Sequence, residues 1–181
     1  MKLQPILSLL VVLSSPMMTH AQCSLSVRQA TAHETQARGY WTDPCTGLTW
    51  AAKDNGKALT WQNAKKYCRD LRLAGHSDWR LGTIYDLQGI YDKSVEAPGI
   101  NPASRWHGEE PMNYHIVGGL FLRGLEWSAP QKVKGQPTGQ IPYWDFLNGH
   151  QMGVDTTLIF GLISVSGPFA NALCVRSSSS P

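Results

Sequence analysis

Three sets of residues in this chain could do chemistry. The first is four cysteines, Cys23, Cys45, Cys68 and Cys174. No two of them form a CxxC pair, and the cysteines and histidines do not cluster into a zinc-ligand set, so the pattern does not point to a metal. Four cysteines in an exported chain read instead as two disulfides, for which three pairings exist. The second set is cationic. Lys65, Arg69 and Arg72 recur at helical spacing with Lys66 beside them, and Lys132 and Lys134 lie with Gln136 and Gln140 in a Pro/Gly-broken connection from Ser128 to Pro142. Such groups can hold a polyanion, a sulfated polysaccharide for example, although a charge stripe opposite an apolar face is ordinarily just solvated. The third set is aromatic and acidic: Asp78-Trp79-Arg80, Trp106-His107 and Glu109-Glu110. Trp79 or Trp106 could stack on a sugar ring, and the two glutamates could bind a cation. The plainer expectation for the first triplet is that Trp79 fills the core while Asp78 and Arg80 pair to hold a turn.

A catalytic pattern does not emerge. His33, His76, His107, His115 and His150 are scattered without HExxH spacing, and the chain has no GxSxG and no phosphate-binding glycine loop. Nucleophilic or metal catalysis needs a nucleophile, a base and an orienting group, or a ligand set. The expectation is a non-enzymatic module with no cofactor and no metal.

The elements that must position these residues can be read from periodicity and punctuation. Residues 22–38 are polar and weakly patterned, an expected irregular lead-in. Gly39 to Thr42 and Leu48 to Ala51 flank a Pro/Gly turn and predict a strand pair. From Thr60 to Leu73, Trp61, Ala64, Cys68 and Leu71 share one helical face, Thr60 can cap the helix and Gly75 can end it. A second helix starts at Thr83, where Thr83 and Asp86 form a capping box and Ile84, Leu87, Ile90 and Tyr91 face inward. Residues 93–115, with three prolines, predict an irregular excursion, and the apolar run 116–127 predicts strand. Tyr143–Leu147 and His150–Val154 flank Asn148-Gly149, the strongest hairpin signal here. A closing strand over 171–176 and a tail over 177–181 complete an α+β chain with an antiparallel sheet. The favoured cysteine pairing is Cys23 with Cys45, tying down the N-terminal segment, and Cys68 with Cys174, joining the first strong helix to the last strand.

The N-terminus reads as a secretory leader: Met1-Lys2, an apolar centre from Leu3 to Leu13, then Thr19-His20-Ala21. That centre is shorter than the ~20 residues a bilayer span needs. Cleavage is expected after Ala21, so residues 1–21 are the leader and about 160 residues remain, one ordinary domain. Losing Lys2 lowers the formal charge from +3 to +2, too little to suggest nucleic acid as a partner. No membrane span is expected, and the endpoint is periplasmic or secreted. Seven tryptophans with 17 glycines and 11 prolines suit a loop-rich α+β domain.

The stretches TGLTW (46–50), LTWQNAKKYC (59–68), LRLAGHSDWRLGTIYDLQGIYD (71–92), EWSA (126–129), YWDFLNG (143–149) and ALCVR (172–176) carry a family resemblance. Together, in order, they resemble the Lcl C-terminal domain family, named after a bacterial collagen-like adhesin and otherwise a domain of unknown function. The resemblance implies a C-type-lectin-like domain over 39–176, with two helices packed on a small twisted antiparallel sheet. It also supports the Cys68–Cys174 pairing, because lectin-like domains usually join the first helix to the last strand. It implies an exported binding module, with sulfated glycosaminoglycans as the ligand by analogy with the namesake. The alternative is an interaction domain for an envelope protein. Two departures matter. Gly82 stands where the family usually has proline before Thr83. The Glu-Pro-Asn and Trp-Asn-Asp motifs of calcium-dependent lectins are absent, so calcium-dependent sugar recognition is not implied.

Overall fold

Four short helices and nine strands form from these signals in a computed structural model that describes residues 23–104, 108–130, 140–155 and 170–177. The main sheet contains β1 (Tyr40–Thr42), β2 (Leu48–Ala51), β3 (Arg80–Leu81) and β9 (Cys174–Ser177), in the antiparallel order β1-β2-β9-β3. The last strand of the chain therefore lies inside the sheet. A second ribbon pairs β4 (Ala97–Ser104) with β5 (Gly108–Tyr114), and a third sheet orders β6 (Glu126–Trp127), β7 (Gln140–Asp145) and β8 (His150–Asp155). Mixed α+β architecture with small antiparallel sheets is thus the observed class.

The two expected helices form where their caps predict. In α3 (Trp61–Asp70) the Thr60 hydroxyl accepts from the Asn63 N–H at 3.2 Å, and Ala64 and Cys68 are buried. In α4 (Ile84–Gly89) the Thr83–Asp86 capping box is complete, with Ile84 and Leu87 buried. Each cap satisfies donors that the first helical turn leaves orphaned.

Helix α3 stops at Asp70, three residues earlier than its pattern predicts, because Leu71 turns extended. Gly75 does not cap it. Ala74 (φ 53°) and Gly75 (φ 77°) form a two-residue turn in which Leu73 and His76 exchange both backbone hydrogen bonds. Two positive φ values in succession favour Asn-Gly over Ala-Gly. Ala74→Asn is therefore expected to raise stability by about 1 kcal/mol, read as a higher urea midpoint with unchanged slope.

The structure corrects four expectations. The lead-in is helical: α1 (Leu25–Ala32) and α2 (Thr35–Arg38) fill it. No residue of α1 is buried, so no apolar stripe announces it. It is held by Arg28, whose guanidinium grips the Asp43 carboxylate at 2.7 and 3.1 Å and reaches the Gly89 carbonyl, and by Trp41, which donates to Thr31. The 93–115 excursion is the β4–β5 ribbon; a two-stranded ribbon has open edges where Pro98 and Pro111 need donate nothing. Conversely, most of 116–125 is not strand. Ile116, Val117, Leu120 and Leu122 are buried, but Gly118 and Gly119 between them and Gly124 after them bend the backbone at positive φ. A Cβ at Gly118 would stand 2.3 Å from the Trp41 ring, so only glycine allows that approach. Finally, the β7–β8 turn has four residues, 146–149, rather than two. Asp145 accepts from the Leu147 N–H and the Asn148 amide, and Phe146 buries fully.

Two apolar clusters fill the interior. One gathers Trp41, Trp50, Leu87, Ile116 and Phe146; the other gathers Ala64, Trp79, Trp127 and the Cys68–Cys174 disulfide. The second disulfide, Cys23–Cys45, pins the start of α1 beside β2, so both favoured pairings are present. Among the described residues, no helix is long and apolar enough to cross a membrane. The expected leader, residues 1–21, lies outside the described residues.

Candidate functional site

The basic stripe divides over two flanks of α3. On one flank Lys65 and Arg69 join Arg80 of β3 around an open groove of about 330 Å³, floored by Trp79, Leu81 and Ala129. The groove is built by backbone: the Ala129 N–H donates to the Gly82 carbonyl at 2.7 Å and docks the end of β6 beside β3 and α4. Arg72 lies beyond the helix end on the other flank. It lines a separate concavity with Lys66, Tyr67 and Asp70, and its guanidinium donates to the carbonyls of Arg69 and Leu71. Early termination of α3 is what takes Arg72 out of the stripe.

Each cation has a local setting. The Lys65 ammonium sits 3.5 Å from the centre of the Trp61 ring, a cation–π contact, and partial burial there lowers its pKa. Trp61 is itself fixed by its indole N–H, which donates to the Ser128 carbonyl at 2.9 Å. Arg69 shares the exposed Asp70 carboxylate with Lys66, and those hydrogen bonds, that of Lys66 foremost, hold Asp70 below the usual carboxylate range. Exposed pairs of this kind are weak and exchange readily with an incoming anion. Arg80 donates to Asp86 at 2.7 Å. Burial opposes ionisation of Asp86, but Arg80 and Thr83 outweigh it and its pKa falls.

The Asp78-Trp79-Arg80 triplet behaves differently from the expected internal pair. Trp79 fills the core at 3% exposure. Asp78, however, receives its hydrogen bond from Arg176 on β9 at 2.8 Å, while Arg80 turns to Asp86. Of the remaining candidates, Glu109 is taken by Arg123 at 2.8 Å. Among the described residues no group of three or more His, Cys, Asp or Glu side chains could hold a metal ion. His33, His76, His115 and His150 stand on different elements. Lys132, Lys134, Gln136, Trp106 and His107 lie outside the described residues. Sequence reasoning did not join Arg80 to Lys65 and Arg69, and it missed Trp61 as the ring beneath Lys65, for which their i, i+4 spacing was the available signal.

A second polar constellation is buried. Asp54, after β2, accepts from the N–H groups of Gly56 at 2.7 Å and Arg123 at 2.5 Å and from the Asn171 amide at 3.0 Å. Glu126 of β6 is fully buried beside it. Read as an ionised acceptor, Glu126 has at most the Leu173 N–H to lower its pKa and no described cation or side-chain donor; read as a neutral acid, it donates its proton to Asp54. The second reading is the physical one, because burial first and the Asp54 charge next push the Glu126 pKa far up.

The family model of the Lcl C-terminal domain matches residues 21–157, which takes in α1 and α2. No curated protein matches the chain.

Proposed function

The chain belongs to the Lcl C-terminal domain family, and on that premise we propose that it is an exported, non-catalytic binding module whose α3–β3 groove takes a polyanionic polysaccharide, sulfated glycans foremost. The observation that carries this reading is the groove itself: Lys65, Arg69 and Arg80 stand around one apolar floor, with the partly exposed Trp61 ring held beside Lys65. Guanidinium and ammonium groups around an apolar base suit a sulfated sugar, whose ring needs apolar cover and whose sulfates need donors. Two disulfides support an oxidising destination, periplasmic or extracellular. The scaffold reading is C-type-lectin-like, supported by α3 and α4 packing beside a small antiparallel sheet and by the bridge from α3 to the last strand.

The test is heparin chromatography of the oxidised protein from Gln22 onward. Lys65→Gln with Arg69→Gln is expected to weaken retention by roughly three- to tenfold at low salt and to flatten its salt dependence. Arg72→Gln, on the other flank, is expected to change much less. Retention that ignores the double substitution, or no retention at low salt, sinks the reading.

A further inference from the structure

We propose that a further cavity, lined by the same Asn171 that donates to the buried Asp54, binds a single neutral sugar-sized polyol. The cavity holds about 230 Å³ and lies between the start of the β4–β5 ribbon, the 123–125 bend and the β7–β8 turn. Its wall brings together Asn101, Tyr114, Arg123, Leu125, Asp145 and Asn171. These residues come from five separate parts of the chain, and no sequence motif joins them.

The wall is held in place but not used up. The Tyr114 hydroxyl donates to the Ile100 carbonyl at 3.0 Å and keeps its acceptor lone pairs. The Asn171 amide N–H donates to Asp54, while no described donor reaches its Oδ1. Asp145 takes one hydrogen bond on each oxygen, from the Leu147 N–H at 2.8 Å and the Asn148 amide at 2.7 Å, and each oxygen can accept another. Arg123 spends one N–H on Glu109. Asn101, beside a register shift in β4, makes no side-chain hydrogen bond to a described residue.

That inventory selects the ligand. Carboxylate and amide oxygens stand beside amide and guanidinium N–H groups, so the occupant must both give and accept hydrogen bonds, as hydroxyl groups do. A free anion meets Asp145; a free cation meets Arg123. A neutral molecule avoids both. Leu125 and the Tyr114 ring add apolar surface for the carbon face of a ring. The volume lies just under the ~300–1,000 Å³ of drug-sized pockets, which limits the occupant to about one ring.

This inference stands independently of the polyanion groove. The test titrates the 15N-labelled oxidised protein, from Gln22 onward, with glucose, galactose, mannose, N-acetylglucosamine, N-acetylgalactosamine and L-fucose. At least one is expected to give saturable shifts of the Leu125, Leu147 and Asn171 amides, with Kd in about the millimolar range. Asn101→Ala should weaken that binding at least about tenfold, and Ala58→Trp, at an exposed position on the cavity's rim, should block it. Heparin retention should be unchanged in both variants. The proposal is overturned if no sugar in the panel gives saturable shifts there, or if both variants keep the binding.

Discussion

Replacing Cys68 and Cys174 together by alanine is expected to lower stability by about 4–5 kcal/mol, the gain the chain-entropy model assigns to closing a loop of ~100 residues. The bridge spans 106 residues of sequence and joins α3 to an interior strand of the main sheet. Both cysteines are fully buried in the cluster around Trp79 and Trp127, so the substitution also removes two sulfurs from a packed core. Typical domains have about 5–15 kcal/mol in total, so the loss takes from roughly a third to nearly all of the stability. Cys23→Ala with Cys45→Ala opens a span of only 22 residues and should cost nearer 3 kcal/mol. Denaturant titrations of the two double variants decide the matter. Equal losses, or a larger loss from the shorter loop, would contradict the assigned architecture.

Glu126→Gln is expected to stabilise the protein at pH 8 by about 1–3 kcal/mol, the range for a buried polar group spared an unsatisfied state. The folded protein keeps Glu126 neutral so that it can donate to Asp54, while the unfolded chain ionises it at an ordinary glutamate pKa. A pKa raised on folding gives stability that is full below the unfolded pKa and is lost as pH climbs toward the folded one. Asp54, also raised by burial, acts in the same direction. The carboxylates of Asp70, Asp78, Asp86 and Asp92 are held below their usual range and act oppositely: their contribution is present at neutral pH and lost in acid. Wild-type stability should therefore peak in mildly acidic solution and decline toward pH 8. A glutamine donates without titrating, so the variant should show a shallower alkaline decline. Equal slopes above pH 6 in the two proteins would remove the proton from the Asp54–Glu126 pair.

What could be read from sequence follows the range of the interaction concerned. Thr60, Thr83 and Asp86 cap helices through neighbours three residues away, and both helices form where those caps place them. The β1–β2 and β7–β8 pairs likewise follow from local alternation and turns, although Asp145 lengthens the second turn by its own side chain. Apart from the two cysteine pairings, interactions across the chain were not visible. Arg176 takes Asp78 from 98 residues away, and Arg28 holds a helix that lacks an apolar face. The 116–125 run carried the hydrophobicity of a strand, yet its glycines serve close packing against Trp41 instead. In the groove, Lys65 and Arg69 were legible because α3 is regular over 61–70. Arg72 was misplaced because the turn at Ala74-Gly75 demands an extended approach, and that demand leaves no trace in helical periodicity.

Because β9 runs between β2 and β3, the main sheet cannot close until residues 174–177 are available. A chain threaded across a membrane N-terminus first would present Cys23 and Cys45 early and hold Cys68 as a lone thiol until Cys174 followed. Its native bridges join the first cysteine to the second and the third to the fourth. An oxidase that couples thiols in their order of emergence thus produces the native connectivity directly, and the protein should mature without help from a disulfide isomerase.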